Sequence, residues 1–141
     1  SAAYGLIGGV SIISRLGVGY LVDSIGARRA YLISLAVTAV GIALLFVPMI
    51  PAMLVAIFLI GLGLGAVATV YIPFVMSVYS PERDTAIVGV FNMAAGVPAL
   101  SMPLLGTASV AYSPDYTLPV LLTFLMSVLA IWTIAMASTE R

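Results

Sequence analysis

Gly19-Tyr20-Leu21-Val22-Asp23-Ser24-Ile25-Gly26-Ala27-Arg28-Arg29 joins two apolar runs of about twenty residues, each long enough to cross a hydrocarbon layer. The joint holds one acid, a helix-stopping Gly26 and two arginines. A polar joint this short, between two such runs, reads as a turn between membrane-spanning helices. Arg28 and Arg29 then sit in the headgroup layer.

Composition points the same way. Of 141 residues, 63% are hydrophobic and 7% charged, and the mean hydropathy is +1.27. A soluble domain carries about 25% charged residues because its surface must meet water. Five basic and five acidic residues cannot cover a soluble globule of this length, so the outside must be lipid or partner protein. A net charge of zero without any lysine argues against a nucleic-acid face. Cysteine and histidine are both absent. Disulfides, thiolate chemistry, Cys- or His-ligated zinc and a Ser-His-acid triad are therefore excluded within the chain. The sequence calls for no cofactor and no metal, and an intramembrane enzyme lacks its base. The start has no initiating Met and no basic n-region, and is expected to be a fragment boundary.

Five apolar segments are expected, at about 2–22, 28–47, 52–79, 84–110 and 117–137, forming one all-α transmembrane bundle over residues 1–141. Gly5 and Gly9 in the first segment form a small-xxx-small pair, as do Gly61 and Gly65 in the third. Pro48 and Pro51 bracket the second joint. Pro73 is expected to bend the third segment. The fourth opens at a candidate N-cap, Asp84, and carries Asn92, Gly96, Pro98, Pro103 and Gly106. It is expected to be bent or locally broken. Joints alternate sides. Arg28, Arg29, Arg83 and Arg141 then share one side and the other has no basic residue. The positive-inside rule places the N-terminus outside and the C-terminus in the cytoplasm of a cell (inner) membrane.

The pattern Gly19-x-Leu21-x-Asp23-x-x-Gly26-x-Arg28-Arg29 resembles the cytoplasmic loop signature of the major facilitator superfamily. In that family the signature joins helices two and three of each six-helix half. Where the family places basic residues, this chain has Ser24 and Ala27, which favours the second half. The Gly-rich third segment, the Pro81-Glu82-Arg83 joint and the Asn92–Gly106 stretch follow the family's order of elements. The resemblance covers essentially the whole chain. It implies five helices of a six-helix half, with the first helix and the other half as missing partners alongside the bilayer and a small-molecule substrate. Arg15-x-x-x-Gly19-x-x-x-Asp23 further resembles the monocarboxylate and oxalate:formate branch, which carries an arginine on this helix of its second half. Here Ser14, not Gly, precedes the arginine.

Several residues could carry such a function. Arg15, Gly19 and Asp23 are four apart and share a helix face, with Arg15 about 12 Å deeper than Asp23. A charge at such depth costs at least ~2.5 kcal/mol, so it faces a cavity or a partner. A substrate carboxylate fits a guanidinium bidentately; the alternative is an arginine snorkelling to water or to an acid on another helix. Asn92 and Tyr71 read as residues that orient a substrate. For Asn92 the alternative is an interhelical hydrogen bond, and for Tyr71 ordinary packing; Phe91 is a lesser candidate. The resemblance makes Asp23 the gate residue, assisted by Gly19, Gly26, Arg28 and Arg29; otherwise Asp23 is an interfacial acid paired with Arg28 or Arg29. Gly61, Gly65, Pro73, Gly96, Pro98 and Pro103 supply close approach and bending for helices that rock against each other. The expected function is secondary transport of a small organic anion, a mono- or dicarboxylate, by alternating access. A neutral-solute or drug-efflux carrier, or a non-transporting assembly subunit, are the competing readings.

Overall fold

The computed structural model describes residues 2–79, 84–112 and 115–136. The joint at Ser80, Pro81, Glu82 and Arg83, the Ser113–Pro114 part of the fourth joint, and the terminal residues from Ala137 through Glu140 and Arg141 lie outside the described residues. Among the described residues there are five helices: α1 (Ala2–Ile25), α2 (Ala27–Leu44), α3 (Ile50–Val78), α4 (Asp84–Tyr112) and α5 (Thr117–Met136).

Their ends are set by local chemistry. α1 runs three residues past the expected Val22, so Asp23 lies in its last turn. It stops where the Gly26 N–H bonds the Val22 carbonyl at 2.9 Å. Gly26 has φ 85° and ψ 152°, a conformation that essentially only glycine adopts. Replacing it with alanine is expected to cost about 1–3 kcal/mol, read as a lowered melting temperature of the detergent-solubilised protein. An unchanged melting curve would show that the turn tolerates a Cβ. α2 ends at Leu44, short of the expected Val47. Leu45, Phe46 and Val47 tighten into i→i−3 bonds, because Pro48 disfavours α geometry just before it. α3 starts earlier than expected, at Ile50, with Pro51 in the first turn where its missing N–H is harmless. It continues through Pro73 without interruption. α4 likewise runs past Pro98 and Pro103 as one helix, so of the bend or local break expected there, the break does not occur. Membrane helices tolerate internal proline because neighbouring groups take up the freed carbonyls.

α3 is the central helix. α1 and α2 pack on it most extensively, α5 packs on α2, and α4 touches α3 and α5 only sparingly. Val18, Ala30, Ala66 and Val70 form the core where α1, α2 and α3 meet, flanked by Leu21, Val22, Ile25 and Tyr31. The three glycines at the middle of α3 make this possible from two sides. A Cβ on Gly61 would lie 3.1 Å from the Ile7 carbonyl oxygen and 3.2 Å from the Val10 Cβ; one on Gly65 would lie 2.8 Å from the Ser11 Cα. Gly63 faces the other way and would meet the Thr38 backbone nitrogen at 2.9 Å. Among the described residues nothing lies within 4 Å of the corresponding position at Gly5, Gly9, Gly19 or Gly96. The tight α1–α3 seam thus uses the glycine pair of α3, not that of α1.

Among the described residues four helices are long and apolar enough to cross a membrane: Gly5–Ile25, Ala27–Leu44, Ile50–Val78 and Thr117–Met136. α4 adds the apolar stretch Thr85–Ala94 among its described residues. The fold is an all-α membrane bundle.

Candidate functional site

The α1–α2 turn, the C-terminal end of α3 and the C-terminal end of α5 lie together at one end of the bundle. Arg28 makes one of the links. It donates from its guanidinium to the Ala135 carbonyl oxygen at 2.6 Å. The last carbonyls of a helix lack intrahelical donors and carry the negative end of its dipole, so an arginine is a fitting partner. Ile25, Gly26, Ala27, Arg28, Arg29, Leu32 and Ser77 line a basic cleft of about 520 Å³ at the same end. Asp23 is exposed on the last turn of α1. Among the described residues Asp23 makes no ion pair with Arg28 or Arg29.

Arg15 lies ten residues before the end of α1, about 15 Å in from it at 1.5 Å per residue. Its neighbours on either side fix which way it points. Ser14 is buried and donates its hydroxyl to the Leu62 carbonyl of α3 at 2.6 Å, and Val18 is buried in the core. Arg15 itself is exposed, as are Ile12 and Leu16. Ser14 was not singled out in the sequence. A serine in an apolar run signals a hydrogen bond, but the spacing along one helix does not name the carbonyl on another.

Tyr71 and Asn92, from different helices, are brought together. The Tyr71 hydroxyl donates to Asn92 Oδ1 at 2.6 Å. Tyr71 is seven residues from the end of α3 and Asn92 eight from the start of α4, so both lie about 10–12 Å in from that end. This is close to the level of Arg15. Nearer the end, Tyr79 and Phe91 pair edge to face with ring centroids 6.1 Å apart. Tyr31 of α2 packs on Phe74 of α3 at 5.2 Å. Neither aromatic pair follows from the sequence, because the helix faces that meet are a tertiary fact. Among the described residues no group of His, Cys, Asp or Glu could hold a metal ion.

Long apolar helices packed through glycine, with Arg28 and Arg29 at one end, define a multi-pass membrane protein. The chain matches the Major Facilitator Superfamily over residues 1–140 and belongs to that family. No curated protein and no solved structure matches it. Members of the family are secondary transporters, not enzymes. They are built of two six-helix halves in a lipid bilayer that bind a small-molecule substrate, and the helices here correspond to no more than one half.

Proposed function

We propose that this chain is part of one half of a carrier, more specifically the second half, that moves a small organic anion such as a mono- or dicarboxylate by alternating access. Arg15 carries the reading. It is a permanent charge about 15 Å inside the bundle's end, and its side chain is exposed on α1. A charge there is expensive unless it meets a cavity or a counter-ion, and a guanidinium matches a carboxylate fork to fork. Tyr71 and Asn92 then orient the anion, and Asp23 with Gly19, Gly26, Arg28 and Arg29 biases the inner gate. In this reading α4 is a fifth crossing, the N-terminus lies outside and the C-terminus in the cytoplasm of the cell (inner) membrane. A missing helix and the other half complete the cavity. Close packing at Gly61 and Gly65, and the glycine and prolines Pro73, Gly96, Pro98 and Pro103, allow one half to rock against the other.

The test is substrate competition in proteoliposomes holding the complete carrier. Oxalate, pyruvate and succinate are each offered as labelled substrate and as competitor, beside neutral sugars. Saturable uptake of at least one carboxylate, competed by the others and not by the sugars, is the expected result. Saturable uptake of the neutral solutes alone would contradict the anion reading.

A further inference from the structure

The seam between α3 and α4 differs from the rest of the bundle. α1 and α2 meet α3 through glycine and a buried core, whereas α4 meets α3 sparingly. Beside the Tyr79–Phe91 ring pair the seam opens into an apolar cleft of about 310 Å³ lined by Tyr79, Ala86, Ile87, Val90 and Phe91. A well-packed interior leaves few voids larger than a water molecule, so apolar packing holds this seam weakly. Its polar tie, among the described residues, is the 2.6 Å bond from the Tyr71 hydroxyl to Asn92 Oδ1.

We infer that the Tyr71–Asn92 bond is a ligand-sensitive tie that positions α4 against α3. The inference rests on the carboxylate reading for its trigger and on geometry alone for the tie. The Tyr71 hydroxyl is the donor and the neutral amide oxygen the acceptor. A carboxylate is a better acceptor, because hydrogen bonds to an ionised group are roughly twice as strong as neutral ones. An arriving carboxylate therefore takes the Tyr71 O–H for itself. The Asn92 amide keeps its two N–H donors for the same anion. The donors of both side chains are then taken up by the anion, Asn92 Oδ1 gives up its donor, and the link between the helices is replaced by a link through the ligand. When the ligand leaves, the direct bond re-forms. Tyr71 is in this sense a positioning residue for α4 as well as a contact for the anion.

The chain has no native cysteine, so labels can be placed cleanly. Met76 on α3 and Met93 on α4 are both exposed. Met76→Cys and Met93→Cys are introduced together in the complete carrier, freed of any other cysteine, spin-labelled, and the distance distribution is measured without ligand. Tyr71→Phe removes one hydroxyl and keeps the ring; Asn92→Leu removes the acceptor at similar volume. Each is expected to broaden the distribution and move its mean outward relative to the parent. Distributions superimposable on the parent in both variants would overturn the tie. The same samples are assayed for uptake. Lost carboxylate uptake with an unchanged distance would also overturn the tie and leave the pair as simple anion contacts. A changed distance in a carrier that transports only neutral solutes would support the tie and overturn the carboxylate trigger.

Discussion

Gly65→Leu is expected to unseat α1 from α3 and abolish the folded carrier. Even a single Cβ at this position would come within 2.8 Å of the Ser11 Cα and closer still to its carbonyl oxygen. Those are backbone atoms, so no side-chain rotation relieves the contact and the whole of α1 must move. Overpacking a tight interior costs about 1–3 kcal/mol and occasionally more, and leucine adds three further carbons to a methyl group that already does not fit. Moving α1 would also break the Ser14–Leu62 bond and open the core at Val18, Ala66 and Val70. Gly96→Ala provides the contrast, since nothing in this chain lies within 4 Å of the added methyl and alanine is a better helix former by roughly 1 kcal/mol. Size-exclusion profiles and melting curves of the detergent-solubilised carrier measure both. A monodisperse Gly65→Leu protein that melts like the parent would mean that α1 and α3 do not meet through this glycine.

Arg15→Ala is expected to abolish carboxylate uptake while the protein still reaches the membrane. Arg15 is exposed on α1 and holds no part of the α1–α3 seam together, so its removal leaves the packing intact. Truncating one partner of a buried, hydrogen-bonded charge pair costs about 2–5 kcal/mol. That corresponds to an affinity loss of roughly thirty- to several-thousand-fold. Arg15→Lys keeps the charge and loses the planar fork, so it should recover part of the activity, with the deficit in apparent affinity. Uptake at the parental rate in Arg15→Ala would remove the residue from the substrate path.

The helices were legible in the sequence because apolar length is a strong signal and nothing in this chain competes with it. Their ends were less so. Asp23 looks like a loop acid by polarity, yet it lies inside α1 because the helix stops at the positive φ of Gly26, not at the first charge. Glycine spacing showed where close approach was possible but not which pair is used. Gly5 and Gly9 carry the same pattern as Gly61 and Gly65, yet among the described residues it is the latter that meet a neighbouring helix. The same limit applies at the candidate site. Tyr71 and Asn92 each stood out as polar groups in apolar runs. Their hydrogen bond depends on the facing of α3 and α4, which no spacing along a single segment specifies. The density of proline in α4 suggested a bend or a break, and the helix runs on without a break, since proline weakens a helix without obliging it to end. The family followed from the Gly19–Arg29 joint set between two spans. The substrate did not, because its cavity needs surfaces that this chain alone does not supply.

The most direct measurement uses Arg15→Cys in the complete carrier, made otherwise cysteine-free and held in oriented vesicles. A membrane-impermeant thiol reagent is applied from one side and then the other, with and without carboxylate. The proposed cycle requires the side chain at this position to face a cavity that opens to each side in turn. It predicts labelling from both sides, with the ratio of the two rates shifted by ligand. Labelling from the cytoplasmic side alone, at a rate that ligand does not change, would show an arginine reaching permanently for inner water and would contradict the account.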